Sequence, residues 1–523
     1  MNFRWEYNQS KKDTLLEQII ENRNLPNSFF QTSRKNIPDF SQMKDIQKAA
    51  RRIIKAVEHK EKIIIFGHDD IDGISATYIL FDFLETIGSQ NHFYFIPNKL
   101  TDNHGIQNEL LNKIPDEKFD LLITVDNGIS DFHAISKIQK NYCDVIVTDH
   151  HLVQKNVPNA FAVVNPKQKD CDFDFDMLAG VGVVFFLVRI IAEELNTTID
   201  KNYLFWFAAG TIADKVPLVN INRIFVKEVL DNWYNFNDNI LTSLEQYLRP
   251  ALNFYNRTKN IEFINRLFSN GRRANGENLS LKALLSSKSE QNSLVNDLLS
   301  ELKQHEEEIK ELKLFLNKIE PTSINNNSFL YYDKENNIPQ QLTGFSASYF
   351  AKKNKIPVII LKAKNGIISA EARCTDGFNL IRLFEYCKDE LIQFGGHVKA
   401  AGCTMKKEKL DSFTDKFDEY IKIKQKDIDD NKIIKIDAVL PADKLDQLDD
   451  YIQMDYNMLQ PFGQGNPSPK FLIKNYLPSR DYHKAKIKSG YPKLNYDEYY
   501  NIVIEFQRSN FNIIDYRKAN YMM

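Results

Sequence analysis

Short apolar runs, three of them leading straight into acidic and imidazole side chains, recur from residue 62 onward and constrain the fold more than any other feature. Lys62-Ile-Ile-Ile-Phe66, Phe93-Tyr-Phe-Ile96, Leu121-Leu-Ile-Thr-Val125, Val145-Ile-Val-Thr148 and Phe161-Ala-Val-Val164 are brief and largely apolar. Continuous rather than alternating runs suit strands covered on both faces, and the helical stretches between them suit crossovers. An α/β fold built on a mainly parallel sheet is expected.

Three of these runs end in reactive groups: Gly67-His-Asp-Asp-Ile-Asp-Gly73, Asp126-Asn-Gly128 and Asp149-His-His151. In an open parallel sheet, ligands collect outside the carboxyl ends of the strands. His68, Asp70, Asp72, Asp126, Asp149, His150 and His151 are therefore expected in one crevice, joined by Asp214 at the end of the apolar segment Ala208–Asp214. So many acids would repel one another unless cations neutralised them. Oxygen and imidazole donors without thiolates suit Mn²⁺ or Mg²⁺, and a pair of such ions would serve displacement at phosphorus. A lone Asp after a strand is more often a turn former or helix cap, so Asp126 and Asp214 take this reading only from the set. Asp149 can equally orient a ligating histidine. His92 and His104 are read as surface residues.

Composition closes off other classes. In 523 residues, 68 Lys+Arg face 70 Asp+Glu, for a net charge of −2, which is not the balance of a basic tail protein. The polar start MNFRWEYNQS has no apolar core of the secretory type. The most apolar run, Leu178 to Ala192, contains Arg189, is shorter than the roughly 20 residues a bilayer span needs, and reads as a buried helix. Cys143, Cys171, Cys374, Cys387 and Cys403 are odd in number and form no CxxC pair, which speaks against a disulfide framework and a structural zinc site. A cytoplasmic protein with no membrane partner is expected.

The domain reading runs in order. Residues 1–60 form a polar helical extension, and 61–280 carry the acidic loops. Apolar residues at three- and four-residue steps over 281–320 predict one long connecting helix, placed at 281–322. A smaller α/β domain covers 323–425, and a β domain covers 432–523. From Phe471 to Met523, nine Lys+Arg stand against five Asp+Glu, with eleven Phe or Tyr. Interleaved cations and rings suit single-stranded nucleic acid, although at least half of the rings are expected in a β core.

With Asp149-His150-His151, Asp126 and the Gly67–Gly73 loop, the chain resembles the DHH phosphoesterase superfamily. Gly395-Gly-His-Val-Lys-Ala-Ala-Gly402 and the segment from Gly344 through Ser369-Ala-Glu-Ala-Arg373 resemble its DHHA1 domain. Pro461-Phe-Gly-Gln-Gly-Asn-Pro-Ser-Pro469 resembles the segment that opens the OB-like domain of the superfamily's RecJ-like single-strand exonucleases. The resemblance implies metal ligands at Asp70, Asp72, Asp126, His150 and Asp214. It adds His68, which stands where many members have His and most bacterial RecJ-like proteins have Asp. His151 would contact the scissile phosphate or assist the leaving group, with Asp126 and Asp149 as its catalytic partners. Arg272, in Asn265-Arg-Leu-Phe-Ser-Asn-Gly-Arg272, would bind substrate phosphate together with Arg373, Gly395, Gly396 and His397. The implied activity is 5′-to-3′ hydrolysis of single-stranded DNA to 5′-mononucleotides in repair and recombination, by a monomer holding two Mn²⁺ or Mg²⁺ ions. A single-strand-binding protein or a helicase is the candidate protein partner. Two alternatives stand beside it: a DHH–DHHA1 oligoribonuclease or cyclic-dinucleotide phosphodiesterase, and a non-catalytic DHH scaffold.

Overall fold

The computed structural model describes residues 3–97, 106, 119–141, 143–153, 156–236, 239–248, 257–271, 278–319, 327–364, 366–375, 377–396, 398–430, 433–481, 487–488, 494–507 and 510–519. His104, Arg272 and His397 lie outside them. Contacts divide the chain into two units, one of residues 1–8 with 304–436 and one of residues 9–303 with 437–523.

The chain begins with β1 (Arg4–Glu6), followed by helices α1 (Leu15–Arg23) and α2 (Ile46–Glu58). The larger unit is centred on β2 (Ile63–Phe66), β3 (His92–Phe95), β4 (Leu121–Val125), β5 (Asp144–Thr148) and β6 (Ala162–Val164). These pair in the order β3-β2-β4-β5-β6, and every pairing is parallel. Successive side chains alternate between faces. Ile63, Ile65, Leu121 and Ile123 enter one hydrophobic core, while Ile64, Phe66 and Leu122 enter the core on the other side. That two-sided burial explains the unbroken apolar runs.

Helices α3 (Ile71–Thr86), α4 (Phe132–Asn141), α5 (Gly180–Glu194), α6 (Tyr203–Ala213) and α7 (Asn220–Asp231) follow in chain order. The apolar run at Leu178 to Ala192 is indeed a buried helix, α5, whose Phe185 and Phe186 pack edge-on against Phe207 of α6. Arg189 is tolerated because its guanidinium lies 4.5 Å from the centre of the Phe40 ring. Among the described residues no helix is long and apolar enough to cross a membrane.

Two local expectations change. The pattern over 281–320 is divided into α8 (Leu279–Leu285) and α9 (Lys288–Leu316), separated at Ser286-Ser287. Ser286 has extended backbone, and the Ser287 hydroxyl contacts Glu290 at 3.1 Å, so local serine chemistry starts a new helix where apolar periodicity alone continues. His92 is not a surface residue: its ring packs 4.3 Å from that of Phe81, both ring nitrogens are buried, and burial lowers its pKa.

The smaller unit is built on β7 (Phe329–Tyr332), β8 (Val358–Lys364), β9 (Ile367–Arg373), β10 (Gln393–Gly396) and β11 (Ala400–Lys406), in the order β10-β11-β9-β8-β7. Only β7 and β8 run parallel among these described pairings. Here too, β1 pairs in parallel with β12 (Ile433–Lys435).

In the larger unit, the C-terminal segment forms a mixed sheet of β13 (Ala438–Pro441), β14 (Lys470–Tyr476), β15 (Ile487–Lys488), β16 (Tyr500–Gln507) and β17 (Asn510–Lys518), ordered β13-β14-β16-β17-β15. Phe471, Tyr476, Tyr500, Phe506 and Phe511 are buried, five of the eight aromatics described from Phe471 onward. Leu15 and Ile19 of α1 complete this core.

Pro461–Pro469 is the docking device between this sheet and the helices behind the acidic loops. The Asn466 amide donates to the carbonyls of Leu459 and Pro461, and the Leu218 amide donates to the Gln464 carbonyl at 2.8 Å. A Cβ on Gly463 would stand 2.8 Å from Leu218. Arg223 of α7 donates to the carbonyls of Phe29, Met458 and Leu459. The segment thus anchors the C-terminal sheet four residues from Asp214.

Candidate metal centre

The five parallel strands deliver their loops to one edge. After β2, Asp70 caps α3 and accepts the Gly73 amide at 3.0 Å, which fixes the loop and turns Asp72 into the first turn of α3. Asp72 is in turn held by the start of α5, accepting the amides of Gly180 and Val181 at 2.6 and 2.8 Å. After β4, Asp126 takes a left-handed backbone with φ of 60°, rare for a residue with a Cβ, so this turn is held by its surroundings. Two glycines make room: a Cβ on Gly180 would come within 2.6 Å of the Asp126 carboxylate, and one on Gly210 within 2.8 Å of Asp72 Oδ1.

The side chains form two linked triads. In one, His68 Nδ1 lies 3.0 Å from Asp70 Oδ2 and 3.3 Å from Asp126 Oδ2. In the other, His150 Nε2 lies 3.7 Å from Asp72 Oδ2 and 3.7 Å from Asp214 Oδ2. The link is Asp126, whose Oδ1 is 3.2 Å from His150 Nε2 while its Oδ2 faces His68. Asp126 also groups with His150 and His151 at metal-ligand spacing. With one oxygen toward each triad, Asp126 would be able to serve a cation on either side.

Acidic charge is crowded at this centre. Burial pushes Asp72 well above the usual carboxylate range, and the charges of Asp126, Asp214 and Asp70 push the same way against the Val181 amide. Asp214 is also raised, chiefly by burial, with the nearby histidines acting against it. Both ring nitrogens of His150 and Oδ1 of Asp126 are buried with no hydrogen bond. Buried polar atoms without partners are costly, and lone pairs facing one another across about 3 to 4 Å are what a cation requires. The donor set of carboxylates and imidazoles fits Mn²⁺ or Mg²⁺.

Asp149 does different work. It is 1% exposed, its Oδ2 accepts the Ile129 amide at 2.9 Å, and its Oδ1 accepts the amides of His150 and His151 and lies 2.7 Å from His151 Nδ1. Burial opposes its charge, but the hydrogen bond and charge of His151 prevail and hold its pKa below the usual value. Burial likewise opposes protonation of His151, yet Asp149 raises that imidazole to about 9. Asp149 therefore sets the shape of the loop and the orientation of His151.

Sequence reasoning missed Asn165 and Lys167. The Asn165 amide donates to the His151 carbonyl at 3.0 Å, and Lys167 Nζ donates to the His150 carbonyl at 2.5 Å. Asn165-Pro-Lys167 follows β6 at the same carboxyl edge, so the topological argument that found the other loops extends to it.

The remaining phosphate-binding candidates lie in the smaller unit. Arg373 ends β9 and donates to Glu371 and to the Ala372 carbonyl at 2.8 Å each; a Cβ on Gly344 would meet its guanidinium. Gly395 and Gly396 end β10, opposite Gly402 and Ala401 of β11. Gly396 has φ of 123° and lies too close to Ala400 and Ala401 to admit a side chain. Gly395 has open space beside it.

Comparison with known proteins agrees with this architecture. Residues 62–211 match the DHH family, N-terminal domain, and residues 326–423 match the DHHA1 domain. The chain is 30% identical over 456 residues to the single-stranded-DNA-specific exonuclease RecJ of Bacillus subtilis, covering 86% of this chain but only 56% of that protein's length. It is 27% identical to the Escherichia coli exonuclease of the same name, covering 74% of this chain and 71% of that one. Among solved structures, an exonuclease RecJ bound to manganese superimposes with a TM-score of 0.60 at 26% identity, over 73% of this chain and 95% of that one. RecJ of Thermus thermophilus in complex with Mn²⁺ shares the fold over 99% of this chain and 80% of its own, with a TM-score of 0.76 at 22% identity. The chain thus carries a DHH domain followed by a DHHA1 domain and is similar to RecJ exonucleases over most of its own length.

Proposed function

We propose that this chain is an exonuclease that hydrolyses single-stranded DNA from the 5′ end to 5′-mononucleotides, using two Mn²⁺ or Mg²⁺ ions. The observation that carries the reading is the pair of triads joined through Asp126 and His150, with unpartnered buried donor atoms at the join. His68, Asp70 and Asp126 would hold one ion, and Asp72, His150 and Asp214, with the other oxygen of Asp126, would hold the second. Bound there, the pair supplies a nucleophile at neutral pH and offsets the charge that develops at phosphorus. Asp149 keeps His151 oriented through Nδ1, so that Nε2 serves a phosphate oxygen or the leaving oxygen. Asp72 is kept in place by two amides at the start of α5, which leaves its orientation independent of the substrate.

Arg373, Gly395 and Gly396, with His397 and Arg272, would grip further phosphates, and the 432–523 region would bind the strand as an OB-like domain. The names of the RecJ relatives and the manganese-bound RecJ structure support the substrate and the metal. The five cysteines are all free thiols, in keeping with work in a reducing cytoplasm on DNA repair and recombination.

The test is a time course on single strands labelled at either end, with Mn²⁺ or Mg²⁺. Label at the 5′ end should appear at once as a mononucleotide, whereas 3′ label should shorten progressively. Internal cuts, or release that begins at the 3′ end, would refute the proposed polarity. Faster turnover of dinucleotides than of long strands would transfer the assignment to the small-substrate phosphodiesterases.

A further inference from the structure

The opposite end of the same sheet carries a second charged feature that the metal centre does not use. A cavity of about 700 Å³ lies beside α2. It is lined by Lys44, Lys48, Arg51, Arg52 and Lys55, with Asp144 at the first residue of β5 and Phe161 just before β6. The metal-centre loops follow the last residues of β4 and β5, so a five-residue strand, about 13 Å from first to last Cα, separates the two places.

The cations fall into two groups. Arg52 is 8% exposed and structural, ion-paired with Glu61 and Asp144 at 2.7 Å each. Lys48, Arg51 and Lys55 are exposed on the outward face of α2, whose other face buries Ile46, Ala49, Ala50, Ile53 and Ala56. Positions three and four apart stack along one helix face at about 5 Å intervals. Arg51 contacts Glu194 at 3.3 Å with its side chain 70% exposed, and Lys44 contacts Asp170, itself 71% exposed; such open pairs exchange readily. Neither Lys48 nor Lys55 has a carboxylate partner among the described residues, and Lys48 Nζ sits 4.8 Å from the centre of the Phe161 ring. A single phosphate would call for donors converging on a point. A row of cations spaced along one helix face of a concave surface instead fits an anion with charge repeated along its length.

We infer that this cavity is a second binding site for a single-stranded nucleic-acid backbone, engaging a strand whose end is being cut at the far edge of the sheet. The inference rests on the proposed nuclease reading, and the experiment separates the two. Full-length protein and the variant Lys48→Ala/Lys55→Ala, which leaves every metal-centre residue in place, are compared in two assays. In EDTA, where nothing is cut, binding of a 30-nucleotide single strand is titrated between about 50 and 200 mM salt. Removing two phosphate contacts should make the slope of log affinity against log salt shallower by about 1.4, at about 0.7 per contact, and weaken low-salt binding roughly five- to tenfold. With Mn²⁺, turnover of a dinucleotide, too short to span the sheet, should be unchanged while turnover of the long strand at limiting concentration falls.

An unchanged slope and unchanged long-strand turnover, with dinucleotide cleavage intact, would overturn the second site and leave the nuclease reading standing. A wild-type protein that cuts neither substrate would overturn the nuclease reading, whatever the slopes show. If the variant loses only affinity for inorganic pyrophosphate or a mononucleotide, with strand binding intact, the cavity takes a small phosphate and the strand proposal fails.

Discussion

The two ends of the parallel sheet solve the problem of charge in opposite ways. At the amino end, Arg52 is buried but meets Asp144 and Glu61 at 2.7 Å, so the protein itself supplies the opposite charges. At the carboxyl end, Asp72 and Asp126 are each 2% exposed, yet apart from the two amides that Asp72 accepts, the groups facing them are other acids and the imidazoles of His68 and His150. Burying an ion without compensation costs several kcal/mol. A site that leaves the compensation out is therefore built to receive it, whereas one that includes it is a piece of scaffold. Strand direction decides which is which, because only the carboxyl edge gathers the loops of successive strands.

The largest effect expected from this contrast comes from Asp126, the carboxylate shared by both triads. Asp126→Ala should lower hydrolysis of single strands by at least about 100- to 1,000-fold, the scale of losing one electrostatic group from a water-poor site, with an unaltered circular dichroism spectrum. An active variant would mean that the two triads do not act as one centre. At the other end, Arg52→Met should leave turnover per folded molecule unchanged but destabilise the protein by about 2 kcal/mol or more; Asp144, one-third exposed, keeps this toward the lower side of the cost of breaking a buried pair. Denaturant unfolding would measure it, and a stability equal to wild type would erase the asserted difference between the ends.

Asp149→Asn should reduce turnover about 10- to 100-fold, as for groups that orient a metal ligand or its neighbour, while sparing metal binding more than Asp126→Ala does. Asp214→Asn gives the smallest and most discriminating effect. Because burial and neighbouring acids disfavour the Asp214 charge, the neutral amide should raise the melting temperature of metal-free protein slightly, by a few degrees at most. It should also shrink the further rise that Mn²⁺ produces in wild type. A fall in the metal-free melting temperature would show that Asp214 is compensated internally, like Arg52.

Much of this site was legible because its information is local. The loops that carry His68, Asp70, Asp72, Asp126 and His150 directly follow apolar strands, so strand pattern and sheet topology group them, whereas Asp214 follows the apolar helix α6 and is grouped from its place at the end of an apolar run. What escaped was long-range or depended on small local energies. The pairing of β1 with β12 joins residues more than 400 positions apart and leaves no periodic mark on either. The segment Pro461–Pro469 advertises a turn, but its grip on Leu218 depends on a partner more than 240 residues away. The interruption between α8 and α9 is set by serine backbone contacts inside a pattern that stays amphipathic throughout. His92 looks like a polar surface residue until Phe81, on the adjacent helix, covers its ring.

Counting bound ions tests the central claim most directly. Titration calorimetry of Mn²⁺ into metal-free protein should reveal two ions per chain, and Asp126→Ala should weaken both sites because each loses an oxygen of the shared carboxylate. A wild-type chain that binds no Mn²⁺, or a variant that binds two ions as tightly as wild type, would contradict the account.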